Sequence, residues 1–331
     1  MIGLFKQKTP VNILFVFILG ILIKLPLFKN TVPAPVNEQS ALFYKEIISF
    51  LNSFGSNSAN LYAGLTYLIL FTQAMQLNKL MNDHRMMQKM TFLPAIAYMV
   101  ITSMIPEWNF FSPIILINSL ILVVFSSLFK LYNQSNVKSN IFNIGLAIGL
   151  CSFIFFPSLI LVLWLLFALM IMRTVRLNEW LICLLGVTTP FYFYAAYLFL
   201  TNALSLESLF SSIQVSVTIP GRSLWLAISS FLLVIPFLIG GYLVQDNLRK
   251  MLIQVRKNWS LVLIFLLFAL FIPFVNNETS GFENWIMAAI PFAAFHACTY
   301  LYTTQRWLPA VIFWISILFI ITFQYAGPGW G

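Results

Sequence analysis

The amino-acid sequence predicts an all-α polytopic integral membrane protein with about eleven transmembrane helices and one amphipathic interface helix. The chain of 331 residues is 60% hydrophobic and 8% charged, with a mean hydropathy of +0.91, whereas soluble proteins carry about 25% charged residues. Apolar runs of roughly 20 residues, long enough to cross a bilayer, recur from end to end. These runs are continuous rather than alternating, which excludes a transmembrane β-barrel. We therefore predict a single integral membrane domain over residues 1–331.

The first span is predicted at residues 11–28. Lys6 and Lys8 stand before this apolar run, as basic residues do in a secretory signal peptide. The run ends in the sequence KLPLF, which begins at Lys24 and contains no small-x-small cleavage motif. We therefore expect an uncleaved first transmembrane helix.

A polar stretch follows the first span, and it contains the pattern of an amphipathic helix. Glu38, Lys45 and Glu46 lie in this stretch, so it does not belong in the hydrocarbon core. Five apolar residues nevertheless recur at the spacing of one helical stripe: Phe43, Ile47, Phe50, Leu51 and Phe54. We predict a helix over residues 40–54 that lies flat in the membrane interface on the outer side.

The remaining apolar runs predict ten further spans, and several of them are short. The runs 92–106, 141–155 and 157–172 have about 15 residues each. At about 1.5 Å per residue, such helices fall short of a roughly 30 Å hydrocarbon core. We expect them to lie inside the helix bundle or in locally thinned bilayer. The ten spans are 60–78, 92–106, 112–129, 141–155, 157–172, 180–200, 223–243, 260–276, 285–303 and 308–325.

The distribution of basic residues predicts a cytoplasmic N-terminus in an inner (plasma) membrane. With this orientation, the only Lys and Arg residues on the outer side are Lys24, Lys29, Lys45 and Arg222. The other 14 of the 18 basic residues face the cytoplasm, as the positive-inside rule requires. Topology thereby explains the net charge of +9, and we do not expect nucleic-acid binding. The 14 are Lys6, Lys8, Lys79, Arg85, Lys89, Lys130, Lys138, Arg173, Arg176, Arg249, Lys250, Arg256, Lys257 and Arg306.

Several classes of soluble chemistry have no signature in the sequence. No P-loop, dinucleotide-binding, zinc-protease or C-x-x-C motif occurs, so we expect neither a bound nucleotide nor another cofactor. The chain has only two histidines, and its three cysteines lie in apolar runs without metal-ligand spacing. We therefore predict no metal site, and any chemistry must use carboxylates together with Lys or Arg.

Three polar residues in or beside the spans are candidate binding residues. Lys24, near the outer end of the first span, could bind a phosphate or extend to the interface. Arg222, at the start of the eighth span, could hold a phosphate bidentately or anchor the helix. His296, near the middle of its span, could take part in substrate binding or proton transfer, or hydrogen-bond to a neighbouring helix.

A family resemblance adds further candidates. The stretch PVNEQSALFYKEIISFLNSFG resembles the start of the first extracytoplasmic loop in the C-type multi-pass glycosyltransferases. The second span LYAGLTYLILFTQAMQLNKL, the short third span closing at MIPE, and the hairpin FNIGLAIGLCSFIFFPSLILVLWLLFALMIMR are also similar to that family. The resemblance covers about residues 1–200. Asn37 and Glu38 stand where those enzymes carry an acidic pair, and Tyr44 follows.

The resemblance implies transfer from a polyprenyl-phosphate-linked sugar at the outer face of the membrane. Glu38 would be the catalytic base or would orient the acceptor, and Tyr44 would contact the substrate. Lys24 and Arg222 would hold the leaving lipid phosphate.

Other functions remain open from the sequence. The chain also resembles a bacterial family of polytopic inner-membrane proteins for which no activity is established. It could be a non-catalytic subunit of an envelope complex, or a transporter or flippase of envelope components. A transporter would require ionisable groups near the bilayer midplane, where His296 is the clear candidate. Membrane lipids, a polyprenyl-phosphate-linked sugar and other membrane subunits are the expected partners.

The orientation can be checked with fusions. A reporter that is active only in the cytoplasm should be inactive when it is fused after Gly331, because eleven spans place the C-terminus outside. The same reporter fused after Lys138 should be active, because Lys138 lies in a predicted cytoplasmic loop. Activity from the fusion at Gly331 would contradict the predicted topology.

Overall fold

The computed structural model describes residues 2–7, 9–29, 31–34, 42–53, 58–202, 224–275, 282–305 and 307–326. Within these ranges the secondary structure is helical, with no β-strand. The α-helices are α1 Ile2–Phe5, α2 Val11–Ile23, α3 Leu25–Lys29, α4 Leu42–Asn52, α5 Ser58–Asp83, α6 Leu93–Ile101, α7 Pro113–Lys130, α8 Lys138–Ile154, α9 Leu161–Met172, α10 Leu177–Leu200, α11 Leu224–Leu248, α12 Ile253–Phe271, α13 Ala289–Tyr302 and α14 Trp307–Ala326. Short 3-10 segments occur at Pro106–Asn109, Phe156–Ile160, Ile272–Val275 and Phe282–Ala288.

The predicted helical membrane class is confirmed by the length and composition of these helices. Six helical stretches in the described residues are long and apolar enough to cross a membrane: Pro113–Lys130, Leu177–Leu200, Leu224–Leu248, Ile253–Val275, Phe282–Tyr302 and Trp307–Gln324. Three shorter apolar stretches are Val11–Ile23, Lys138–Ile154 and Phe156–Met172. The total of about eleven spans, and the direction in which they cross, stay predictions.

Helix α6 lies at the centre of the bundle. All nine of its residues are buried, and it packs against α13, α5 and α2. A helix that is apolar on every face is stable only when other helices surround it. At about 1.5 Å per residue, α6 is about 14 Å long and so ends well short of a full crossing. Within the run predicted at 92–106, the helix spans only Leu93–Ile101 and lies inside the bundle, one of the two alternatives that the sequence left open.

The C-terminal end of α6 leaves backbone carbonyl groups in the protein interior, and side chains from other helices bind them. Lys24 Nζ donates to Thr102 O at 3.2 Å, and Gln324 Nε2 in α14 donates to Ser103 O at 3.1 Å. Ser229 Oγ in α11 donates to Met104 O at 3.4 Å. Buried carbonyls without partners are costly. Three successive carbonyls are thus bound by three different parts of the fold.

Helices α8 and α10 pack with their backbones in close contact. A methyl group at Gly145 or Gly149 in α8 would overlap backbone carbonyls of α10, and one at Gly186 in α10 would overlap Phe142 O in α8. The G-x-x-x-G spacing at 145 and 149 therefore serves helix packing, as small residues do in membrane helices.

The two ends of the bundle differ in charge. At one end, hydrogen bonds join Gln88 to Asn247, Gln254 to Phe129 O, and Arg173 to Gln134 O. We call this the basic end, because it carries the basic residues of the loops 84–89, 130–138, 173–176 and 249–257. The opposite end holds Lys24, α4 and the segments Pro106–Asn109 and Phe282–Ala288. We call it the carboxylate end, because these two segments carry Glu107 and Glu283.

The close contact between α8 and α10 can be tested with one added methyl group. Gly186→Ala should lower the free energy of unfolding by about 1–3 kcal/mol, the usual cost of overpacking, and thermal melting of the purified protein measures it. The control is Gly64→Ala in α5, where a methyl group meets nothing within 4 Å. That substitution should be neutral, or stabilising by up to about 1 kcal/mol. Equal melting temperatures for the two variants would contradict this packing.

Candidate functional site

The predicted site residues fall into three groups in the structure. Glu38 and Arg222 lie outside the described residues, so their predicted roles stay predictions. Lys24 and Tyr44 both lie at the carboxylate end. His296 is in α13, and its side chain lies in the bundle interior against α11.

Lys24 is buried rather than extended to the membrane surface, with 1% of its surface exposed. Its ammonium group donates to Asn109 Oδ1 at 2.5 Å and to Thr102 O at 3.2 Å, just beyond the C-terminus of α6. A cation is favourable at this end of a helix, where the carbonyl dipoles point outward. No carboxylate of the described residues lies within ion-pair distance of Lys24.

Asn109 is oriented by this contact. Its Oδ1 atom accepts the hydrogen bond from Lys24, which leaves the amide nitrogen Nδ2 as a donor. That atom is buried and has no hydrogen-bond partner among the described residues. A buried donor without a partner is uncommon in a native structure and marks a position where a ligand atom or water would be stabilised.

Two carboxylates, Glu107 and Glu283, are carried by two segments that pack together at this end of the bundle. Trp108 Nε1 donates to Phe282 O at 2.8 Å and so fixes the segment Pro106–Asn109 against Phe282–Ala288. The Glu107 carboxylate lies within electrostatic range of Glu283. Burial raises the pKa of Glu107 above its ordinary value. The sequence gave no signal that the segments carrying these two residues would pack together.

Tyr44 reaches the same cluster from α4. Its ring stacks on Phe111 with a centroid distance of 6.4 Å, and its side chain is 1% exposed. Its hydroxyl group has no hydrogen-bond partner among the described residues and lies within electrostatic range of Glu283 and Tyr62. Burial, followed by the charge of Glu283, raises the pKa of Tyr44. Tyr44 therefore contributes a buried hydroxyl near two carboxylates.

Helix α4 is amphipathic, as predicted, and the face that packs on the bundle is offset from the apolar stripe, which the sequence directed toward lipid or the bundle. Tyr44 and Ile48 are buried, whereas Phe43 and Phe50 are 47% and 63% exposed. Leu51 packs against the bundle with Tyr44 and Ile48. Tyr62 Oη in α5 donates to Asn52 Oδ1 at 2.8 Å and holds the end of α4. The helix runs over Leu42–Asn52, and Phe54 of the predicted stripe lies outside the described residues.

An apolar cavity of about 420 Å³ lies at the same end of the bundle, and neither Glu107 nor Glu283 lines it. Trp108 and Phe282, the neighbours of Glu107 and Glu283 in the chain, both line it. The remaining wall comes mainly from α11, α12 and the segment Phe282–Ala288, and consists of Ile105, Leu226, Ser230, Leu233, Val234, Leu270, Phe274, Trp285, Ala288 and Phe292. An apolar group in this cavity would therefore contact residues that are adjacent in the chain to two carboxylates.

His296 lies behind the wall of this cavity. Its Nε2 atom donates to Leu233 O at 2.8 Å, and Thr299 Oγ1 donates to Pro236 O at 2.6 Å. Pro236 cannot donate a backbone hydrogen bond within α11, and these two side chains of α13 bind carbonyls in the interrupted region. The contact is one between neighbouring helices, an alternative that the sequence left open. A role for His296 in substrate binding stays a prediction.

This arrangement suits an amphiphilic molecule. The cavity can hold an apolar chain, while Asn109, Glu107, Glu283 and the Tyr44 hydroxyl provide polar groups at the same end of the bundle. The described residues contain no group of three or more His, Cys, Asp or Glu residues that could hold a metal ion. Comparison with family models, with curated proteins and with solved structures found no match to this chain.

The attachment of α4 can be tested at its two tyrosines. Tyr62→Phe should lower the free energy of unfolding by about 0.5–1.5 kcal/mol, because the hydrogen bond to Asn52 is lost. A spin label at exposed Ser49 should then become more mobile. Tyr44→Phe is the matched control and should change neither the free energy of unfolding nor the mobility of the spin label. The Tyr44 hydroxyl has no hydrogen-bond partner among the described residues. An unchanged spectrum for Tyr62→Phe would contradict the role of this contact.

Proposed function

We propose that the protein is a glycosyltransferase-like enzyme of the cell envelope that acts on a polyprenyl-phosphate-linked sugar at the carboxylate end. The observation that carries this proposal is an apolar cavity lined by Trp108 and Phe282, which are the chain neighbours of Glu107 and Glu283. A lipid-linked sugar likewise combines an apolar chain with a polar phosphate and sugar. The predicted orientation places this end on the outer side of the membrane.

The cavity would hold the part of the isoprenoid chain nearest to the phosphate. Its volume of about 420 Å³ falls within the usual range of ligand sites, roughly 300–1,000 Å³. Trp108, Trp285 and Phe292 line it with rigid aromatic rings, which lose little conformational entropy when they contact a ligand. The rest of the lipid chain would remain in the bilayer.

The carboxylates would carry the proton transfer. In the reaction, the acceptor hydroxyl oxygen attacks the anomeric carbon of the sugar. The bond between that carbon and the lipid phosphate oxygen breaks, and the phosphate leaves with the electron pair. The hydroxyl proton passes to a carboxylate. A base is most effective when its pKa is close to the working pH, and burial moves the pKa of Glu107 in that direction.

Glu38 remains the base that the family resemblance implies, and Glu107 and Glu283 are two further candidate carboxylates, carried by the segments Pro106–Asn109 and Phe282–Ala288. Either of these carboxylates, when ionised, could accept the hydroxyl proton.

Lys24 and Asn109 would stabilise the leaving phosphate. Lys24 holds Asn109 Oδ1, so the Asn109 amide nitrogen can donate to a phosphate oxygen. A donor that is fixed before the reaction stabilises developing negative charge without reorganisation. Arg222 is the second cation assigned to the phosphate by the sequence. The predicted Tyr44 contact would be made by its buried hydroxyl.

The test is complementation of a gene deletion by single carboxylate variants. Loss of the general base costs about 10²- to 10⁴-fold in rate, so the responsible variant among Glu38→Gln, Glu107→Gln and Glu283→Gln should fail to complement while it still folds and reaches the membrane. Glu46→Gln is the matched control, because Glu46 is an exposed carboxylate of α4. It should complement fully.

Complementation by all three site variants would contradict the catalytic proposal. Binding of polyprenyl phosphate to the purified wild-type protein, compared with the uncharged polyprenol, then separates the alternatives. Selective binding of the phosphate would favour a transporter or flippase of lipid-linked components. Failure to bind either lipid would favour a non-catalytic membrane subunit.

A further inference from the structure

A second cavity, at the basic end of the bundle, has a different chemical character. It has a volume of about 540 Å³ and lies between the loop after α7, the end of α9 and the start of α12. Most of its lining residues are polar: Tyr132, Asn133, Gln134, Ser135, Arg173, Thr174, Arg176 and Lys257, with Met172. It is separate from the proposed substrate site, which is at the opposite end.

The charge of this cavity is positive. Arg173, Arg176 and Lys257 line it, and no Asp or Glu does. Glu179 neutralises Arg173 through a two-pronged ion pair, with Nε–Oε2 at 2.9 Å and Nη2–Oε1 at 3.1 Å. Arg176 lies 3.9 Å from the same carboxylate and is largely exposed. Arg176 and Lys257 therefore keep charge that is available to an anion.

The polar floor of the cavity is held in place by Arg173. Besides its ion pair with Glu179, its Nη1 atom donates to Leu131 O at 3.2 Å and to Gln134 O at 2.7 Å. These bonds fix the loop after α7, in which Asn133 adopts a left-handed backbone conformation with φ of 58°. Arg173 is only 11% exposed. A basic residue that served membrane topology alone would not need this set of contacts.

Lys257 is also fixed in position. Its ammonium group lies 4.8 Å from the centroid of the Tyr132 ring, within the range of a cation–π contact. The side chains of Asn133, Ser135 and Thr174, which also line the cavity, make no hydrogen bond to another described residue. Cations held by an aromatic ring and a loop, with free polar groups beside them, form an arrangement suited to an anion with several oxygen atoms.

The position of the cavity indicates that this anion is presented by the membrane. Lys257 is in the first turns of a helix that is apolar enough to span the bilayer. Exposed apolar side chains flank the cavity: Val175, Leu177, Leu252 and Ile253. Apolar residues next to basic residues at the end of a span lie at the level of the lipid headgroups.

We propose that this cavity binds a phosphate group, presented at the membrane surface by an anionic phospholipid. The phosphate would accept hydrogen bonds from Arg176 and Lys257, and the neutral polar side chains would contact the rest of the headgroup. Such binding would hold the ends of α9 and α12 together at the basic end. This proposal does not depend on the proposed enzymatic function.

The experiment compares two double variants of the purified full-length protein that remove equal charge. Arg176→Gln with Lys257→Gln changes the cavity and leaves Arg173 in place. Arg249→Gln with Lys250→Gln is the control, because both residues are exposed at the same end and do not line the cavity. Thermal melting is followed while phosphatidylglycerol, phosphatidylcholine or inorganic phosphate is added, because a ligand that binds the folded state stabilises it.

We expect phosphatidylglycerol to raise the melting temperature of the wild-type protein and of the control variant. The cavity variant should need at least about tenfold more of this lipid for the same rise, because two charge-assisted hydrogen bonds are lost. A similar rise with millimolar inorganic phosphate, lost only in the cavity variant, would support phosphate binding but identify a soluble source. The proposal is overturned if the two double variants respond equally, or if phosphatidylcholine stabilises as well as phosphatidylglycerol.

Discussion

The structure depends on how the end of a buried helix is satisfied inside the protein. Helix α6 is too short to cross a bilayer, so the backbone carbonyls that follow it lie where water cannot solvate them. Lys24, Gln324 and Ser229 supply the missing donors from three separate parts of the chain. Because each unpaired buried carbonyl would cost several kcal/mol in an apolar environment, these bonds fix how the surrounding helices sit around α6.

The same region positions the candidate site. The chain leaves α6 through Met104 and enters the segment Pro106–Asn109, which carries Glu107 and Asn109. Lys24 thus has two structural roles, since one of its hydrogen bonds binds Thr102 O and the other orients Asn109. The hydrogen bond from Trp108 to Phe282 O then holds the segment that carries Glu283 against the segment that carries Glu107. The site is built on rigid packing, a condition for placing polar groups accurately.

The two ends of the bundle have separate chemistry. The carboxylate end combines acidic groups, a buried amide and an apolar cavity, whereas the basic end has a polar cavity with positive charge. This division gives physical meaning to the charge asymmetry of the sequence. Some basic residues at that end are exposed and consistent with a topological role alone, such as Arg249 and Lys250. Others are held in defined contacts, such as Arg173 with Glu179 and Lys257 with Tyr132.

The sequence by itself determined the helical membrane class, because an apolar run of sufficient length is a local property that can be read residue by residue. It also predicted the amphipathic helix α4, and from its length it limited α6 to the bundle interior or locally thinned bilayer. Only the tertiary structure decided which polar groups meet. Trp108 and Phe282 are 174 residues apart, and no periodicity in the chain indicates that Glu107 and Glu283 are neighbours. The buried face of α4 was likewise set by Phe111 and Tyr62 rather than by its most regular stripe. Hydropathy is local, whereas the pairing of buried polar groups depends on how distant helices pack.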